Sequence, residues 1–423
     1  MDFILAHEGD DTVRLLLSRD RFPEVDMDLA ASTIEARRRL KAKLPEWYAV
    51  TSLHYPSRLS AEQCSSSATA RYKARLVAGY VVAGPVATLG RVRGRGPTDR
   101  LGGVAKRRSQ DHIACSQGGP RIADLTGGLG VDSWAFAQVA EEVMYNEREE
   151  KLVEAAKHNF RELGLTNVRI SNAVIEKGKA GEVLGDFNPD LIYMDPARRA
   201  VDGRKVFLLE DCSPDVTGLL PELFEHSRFI LLKLSPMADI TMLEKRLPCI
   251  REIHVVATDG ECRELLLLLE KDWNGPRRMF VAEDEAVMEI PRERMKYKAA
   301  LKFGEYLFEP GKALLKSGAF DLPCSYGLEK MAPMTHLFLS ETRVDELDSF
   351  GKWFEVLEVL PLDKRAMKAV GEKYPEAEVS ARNIPMNSDK LRNRLGCSSG
   401  GNIHIFGAGF AARRLLFVCR RLG

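Results

Sequence analysis

From Arg121 to Glu270 the chain alternates short apolar runs with helical stretches, and this alternation limits the possible folds more than any other feature of the sequence. The runs RIADL, EVMYNE, VRISN, DLIYMD, FILLKLS, IREIHVVA and ELLLLLE have the length of strands. The first five are separated by segments that read as helices, among them SWAFAQVA and REEKLVEAAKHNFRELG. Such an order predicts an α/β fold with a parallel sheet covered on both faces. The last two runs are joined by the turn DGEC, which is too short for a helical crossover, so the seventh strand is expected antiparallel to the sixth.

Composition narrows the remaining choices. Apolar residues make up 45% and charged residues 29% of the chain, a balance that rules out a mostly disordered or a fibrous protein. The longest apolar runs, FILL at Phe229 to Leu232 and LLLLL at Leu265 to Leu269, fall far short of the ~20 residues of a membrane span. The start, MDFILAHEGDD, lacks the basic and apolar stretches of a secretion signal, and a cytoplasmic protein is expected. The eight cysteines form no CxxC pair and the histidines show no ligand spacing, so reduced thiols and no metal are expected.

A length of 423 residues, at roughly 150 per domain, suggests two to three domains. Residues 1–77 read as helical, with Ser32 or Thr33 capping STIEARRRLKAKLPEW and Ser60 opening SAEQCSSSATARYKARL. Residues 78–119 form a basic Gly/Arg-rich segment without apolar periodicity; between Arg71 and Arg108 there are ten Lys or Arg and one acid. The sheet occupies 120–273. A smaller unit at 278–335 is expected to hold the strand MFVAE and a helix over RMKYKAALKFGEYLF. In another at 336–423, the strands THLFLSE, NIHIFGAG and RRLLFVCRR surround the helix DKRAMKAVGEKY. From Arg382 onward there are eight Lys or Arg and one acid, readable either as a solvated face or as a nucleic-acid contact.

The residues that carry chemistry cluster at the ends of the predicted strands. ADLTGGLGVD, with Asp124, Thr126, Gly127, Gly128, Gly130 and Asp132, runs from a strand through a glycine-rich turn into a helix, where backbone can approach a ligand closely. Glu147 ends the second strand, where a carboxylate can take both hydroxyls of an adenosyl ribose. Asn172, followed by Ala173, ends the third, where an amide can meet an adenine edge. Asp195 and Pro196 end the fourth, at the edge where open sheets bind ligands. Ala197 and Arg198 follow with no aromatic platform for a base, and Arg198 or Arg199 could fix a phosphate or carboxylate. Lys233 and Ser235 end the fifth strand on the same edge.

This order of residues resembles that of the class I S-adenosylmethionine (SAM) dependent methyltransferases. More closely, EQCSS, TARYK, DLTGGLGVD, DPARR, KLSP and GECREL together are similar to a bacterial methyltransferase family bearing a C-terminal THUMP-like domain. The resemblance covers most of the chain outside residues 78–120. It implies a seven-stranded Rossmann-like sheet with an antiparallel last strand, a small ferredoxin-like unit, and SAM as cofactor. By the same resemblance, Asp124, Thr126, Gly127, Gly128, Gly130, Asp132, Glu147, Asn172 and Ala173 hold the cofactor. Asp195, Pro196 and Arg198 serve catalysis, and Arg199, Lys233 and Ser235 contact the substrate. The implied substrate is structured RNA. A small-molecule O- or N-methyltransferase and a non-catalytic RNA-binding protein are the alternatives the residues leave open.

Overall fold

The computed structural model describes residues 2–83, 118–198, 209, 212–293 and 295–422. The chain divides into two compact units, Met1–Ile253 with Arg263–Arg277, and His254–Cys262 with Arg278–Gly423.

The first unit is built on β1 (Arg121–Asp124), β2 (Glu142–Asn146), β3 (Val168–Ser171), β4 (Leu191–Met194), β5 (Phe229–Leu234), the first four residues of β6 (Ile250–Thr258) and all but the first two of β7 (Glu261–Glu270), in the order β6-β7-β5-β4-β1-β2-β3. The pairs β1/β2, β2/β3, β1/β4 and β4/β5 are parallel, and β7 runs antiparallel to β5 with Phe229 opposite Glu270. Asp259 and Gly260, both at positive φ, form the two-residue turn that lets β7 double back. Leu265 to Leu269 are essentially inaccessible, as expected of a strand covered on both faces. The order reverses at β1, which has β4 on one side and β2 on the other. The crevice at the carboxyl ends of the strands opens there.

Helices of the N-terminal region pack in this same unit. Met27–Lys43 is capped by Asp26, whose carboxylate accepts from Leu29 N–H at 3.0 Å, and not by Ser32 or Thr33. Ser32 instead donates to Leu29 O and Tyr55 O, and Thr33 is buried. The stretch expected as one helix from Ser60 is two: Arg58–Gln63, capped by Ser57, and Ser67–Ala83, with Ser66 Oγ accepting from Thr69 N–H at 3.3 Å. The intervening serines offer local hydrogen bonds that compete with the helix. Residues 78–83 continue the second helix, and residues 84–117 of the basic segment lie outside the described residues. Trp47 is wholly buried and meets Trp134 edge-on at 6.3 Å. Asn159 holds both backbone groups of His54, at 2.8 and 2.9 Å.

In the second unit β8 (Arg278–Glu283) and β9 (Ala286–Ile290) form a hairpin beside the outer end of β6, where Asp284 N–H donates to Ala257 O at 2.9 Å. This hairpin brings the sheet to nine strands where seven were expected. A separate seven-stranded sheet holds β10 (Tyr306–Pro310), β11 (Glu329–Ala332), β12 (Thr335–Ser340), β13 (Gly351–Pro361), β14 (Glu378–Arg382), β15 (Ile403–Phe410) and β16 (Arg413–Arg421), ordered β11-β12-β10-β13-β16-β15-β14. The helix expected over RMKYKAALKFGEYLF does not form. Ala300 N–H donates to Lys330 O and Lys330 N–H to Lys298 O, so backbone groups that a helix would need are spent on β11. Tyr306–Pro310 becomes a strand between β12 and β13, and at Gly304 a Cβ would lie 2.5 Å from Ser340 O.

Candidate active site

A groove of about 1180 Å³ in the first unit runs along the carboxyl ends of β1, β2, β4 and β5. That volume lies at or above the upper end of typical small-molecule pockets, ~1,000 Å³.

Its floor begins with the glycine turn after β1. Asp124 is fully buried beneath the turn, where its carboxyl accepts from Thr126 N–H at 3.2 Å and from Ser133 Oγ at 2.6 Å. Gly127 donates to Asn146 O at 2.8 Å and lies so close to Tyr145 that a Cβ would stand 2.2 Å from the ring. Gly130, at φ 90°, starts the helix Val131–Ala137 and is pressed against Phe160. Both positions therefore require glycine by packing or by conformation. Gly128 presents its N–H to Glu147 Oε2 at 2.9 Å, and Glu147 Oε1 accepts from Glu149 N–H at 2.9 Å. A carboxylate offers about four acceptor positions, so two remain for a ligand along the wall of the groove that Glu147 forms.

Of the residues expected at the cofactor, Thr126, Gly127, Gly128, Asp132, Glu147 and Ala173 border the groove. Asp124, Gly130 and Asn172 do not: Asp124 and Gly130 are buried, and Asn172 is exposed. Asn172 Nδ2 donates to Glu147 O at 2.7 Å and so fixes the strand end that carries Glu147. Asp195, Pro196, Lys233 and Ser235 also border the groove. Arg198 has its backbone in a two-residue ribbon, Ala197–Arg198 against Cys212–Ser213, and Arg199 lies outside the described residues. Thr126 Oγ1 accepts from Asp195 N–H at 2.6 Å, tying the glycine turn to the end of β4.

Burial pushes the Asp124 carboxyl up to about 8, with the Asp132 and Asp195 charges adding to the effect and the Ser133 hydroxyl opposing it. In the unfolded chain an aspartate titrates near ~3.9. The folded state thus holds this proton more tightly. The associated stability is complete below ~3.9 and is lost as pH rises to about 8. Asp124→Asn, which cannot ionise, removes the dependence. The stability of the wild type relative to this variant should therefore fall between pH 5 and pH 8. Urea unfolding at the two pH values checks it, and an unchanged difference would mean that the carboxylate is already ionised under the turn.

Behind the groove lies a buried ionic cluster that the sequence reading did not assign. Lys73, from the helix Ser67–Ala83, has a side chain with no solvent exposure; its Nζ lies 2.9 and 3.0 Å from the two Glu264 oxygens and 3.2 Å from Asp132 Oδ1. Asp132 Oδ2 accepts from Ser65 Oγ at 3.0 Å and from Tyr193 OH at 2.7 Å. In front, Lys233 Nζ meets Asp195 Oδ2 at 2.5 Å, the two side chains 13% and 37% exposed. Burial alone would lower the Lys233 ammonium, but the charges of Asp195, then Asp132 and Glu264, hold it well above the ordinary lysine value. Burial likewise works against the Asp132 carboxylate, and Lys73 and Lys233 hold it below its usual range. A sequence signal for Lys73 did exist, since it sits with Ala70, Ala74 and Val77 on the buried stripe of its helix.

Among the described residues no group of His, Cys, Asp or Glu could hold a metal ion. None of the helices there is long and apolar enough to cross a membrane. In the second unit Arg382 pairs with Glu309 at 2.7 Å and Arg413 lies over Phe303 and Phe410, while Lys390, Arg394 and Arg414 are exposed.

Residues 306–347 match a family described as a ferredoxin-like domain, and residues 351–421 one described as THUMP domain-like. A crystal structure from Porphyromonas gingivalis W83, provisionally described as a methyltransferase, is 29% identical to this chain. It superposes with a TM-score of 0.79 over 100% of this chain and 97% of its own. The methyltransferase subunit of a type I restriction-modification system from Streptococcus thermophilus shares 14% identity, with 40% of this chain and 42% of its own covered, at a TM-score of 0.29. An rRNA methylase from the same species shares 11%, with 36% and 88% covered, at 0.27. These last two are too distant to bear on the fold or the function. Comparison with curated proteins gave no match. The chain thus joins an open α/β sheet to a ferredoxin-like stretch and a THUMP-like end, and it is similar over its full length to a protein provisionally described as a methyltransferase.

Proposed function

We propose that the protein transfers a methyl group from SAM to structured RNA. One observation carries this reading. The glycine turn, Glu147 and Asp195 meet on a single groove at the point where the strand order reverses. The THUMP-like end of the chain supports the RNA part.

The residues fit the cofactor. Gly127 and Gly128 let backbone come close to it, Glu147 has acceptor positions left for ribose hydroxyls, and Ala173, Val174 and Ile175 give an apolar wall for the adenine. When bound, SAM supplies an electrophilic methyl group on a sulfonium. Asp195 would orient the acceptor, and the groove would bring donor and acceptor together. The described cysteines are all free, which suits a reducing cytoplasm.

Purified protein should move labelled methyl from SAM into the RNA fraction of an extract from cells lacking the gene. Its RNA binding should weaken steeply with salt. The size of the groove favours, as a second reading, a small acceptor held entirely within the first unit. Label confined to small molecules would establish that reading in place of RNA. Glu147→Gln should weaken SAM binding by about ten- to a hundredfold through loss of charge-assisted hydrogen bonds to the ribose. Calorimetric titration with S-adenosylhomocysteine measures this, and unchanged affinity would remove Glu147 from the cofactor site.

A further inference from the structure

Resting on the reading of the groove as a methyl-transfer site for RNA, we infer that the acceptor is a ribose 2′-hydroxyl, held between Lys233 and Asp195.

The argument is one of hydrogen-bond complementarity. At the end of the groove where β4 and β5 terminate stand a donor-only group, the Lys233 ammonium, and an acceptor-only group, the Asp195 carboxylate, paired at 2.5 Å and both bordering the groove. A hydroxyl matches them both, since its oxygen accepts from the ammonium while its hydrogen donates to the carboxylate. The exocyclic amine of a base has its lone pair delocalised into the ring and only donates. It would compete with Lys233 for Asp195 and leave the ammonium facing no acceptor. Methylation there would also build positive charge beside a fixed cation. The position after Pro196 is Ala197, with no ring to stack on a base.

Behind the pair, the buried cluster fixes this arrangement. Asp132 and Glu264 add negative charge near Lys233, and Lys73 balances them from the far side. Lys233 is thus held charged and aimed at the place where an oxygen would develop negative charge. The hydroxyl oxygen forms a bond to the methyl carbon as the carbon–sulfur bond breaks, its electron pair staying on sulfur to give a neutral thioether. The hydroxyl proton passes to the Asp195 carboxylate and from there to water.

Alkaline hydrolysis of RNA needs a free 2′-hydroxyl, so the product tests the inference directly. RNA labelled by the enzyme and hydrolysed to completion in alkali should release its label in alkali-resistant dinucleotides. Label in mononucleotides would place the methyl on a base and overturn the inference, while leaving methyl transfer to RNA intact. Absence of label from RNA, in protein that binds S-adenosylhomocysteine, would overturn both. Lys233→Met should slow transfer about a hundredfold or more, with S-adenosylhomocysteine affinity within a few-fold of wild type and a cooperative unfolding transition above the assay temperature as the check on folding. Lys233→Arg, which keeps the charge, should recover part of the rate. A Lys233→Met variant with the wild-type rate would overturn the role given to Lys233.

Discussion

Asp195→Ala is expected to lower the rate of methyl transfer by about a hundred- to ten-thousandfold while SAM binding survives. Asp195 is the carboxylate of the groove that stands at the end of β4, a third exposed, with Thr126 fixing its backbone and Lys233 its side chain. Removing the carboxylate takes away the counter-charge of Lys233 and, on the proposed mechanism, the acceptor for the substrate proton. The cofactor contacts proposed above lie elsewhere, on the glycine turn and Glu147, whose own hydrogen bonds do not involve this side chain. Single-turnover transfer and titration with S-adenosylhomocysteine separate the two effects. A rate within threefold of wild type would remove Asp195 from the chemistry. Asp195→Asn keeps the shape but lacks the charge, and should resemble alanine more than wild type.

Lys73→Met is expected to destabilise the protein by about 3–5 kcal/mol, the typical cost of removing one partner of a buried ion pair. Lys73 is the cation that lies between Glu264 and Asp132, both of them buried. Without it two carboxylates remain close together with little water to compensate. Lys73→Met combined with Glu264→Leu should recover part of the loss, since it removes one of the two stranded carboxylates and leaves Asp132 with the charge of Lys233. Urea unfolding of the single and double variants reads this out. A single variant that loses less than about 1 kcal/mol would mean that the acids rearrange or take up protons at little cost.

Much of the sheet was legible because its physics is local. Strands covered on both faces read as apolar runs, and a two-residue turn cannot hold a crossover, so β7 had to run back along β6 whatever the rest of the chain did. Where local preference was the wrong guide, another group competed for the same backbone. Asp26 stands at the true start of Met27–Lys43 and outranks Ser32, which lies inside the helix. The apolar spacing of residues 295–308 suits a helix, yet their amides and carbonyls are claimed by β11, β12 and β13, which helical periodicity cannot foresee.

The same division holds for the groove. Glycine spacing and acids at strand ends marked Thr126, Gly128, Glu147, Asp195 and Lys233 from the sequence alone, because an open α/β sheet binds its ligands at those ends. Only the tertiary structure showed that Asp124 faces inward, that Asn172 braces Glu147, and that Lys73 meets Glu264 across 191 residues of chain. A side chain's chemistry is written in its own residue, but the burial, partners and charge that decide how it is used come from segments distant in sequence. Those are settled only when the chain has closed on itself.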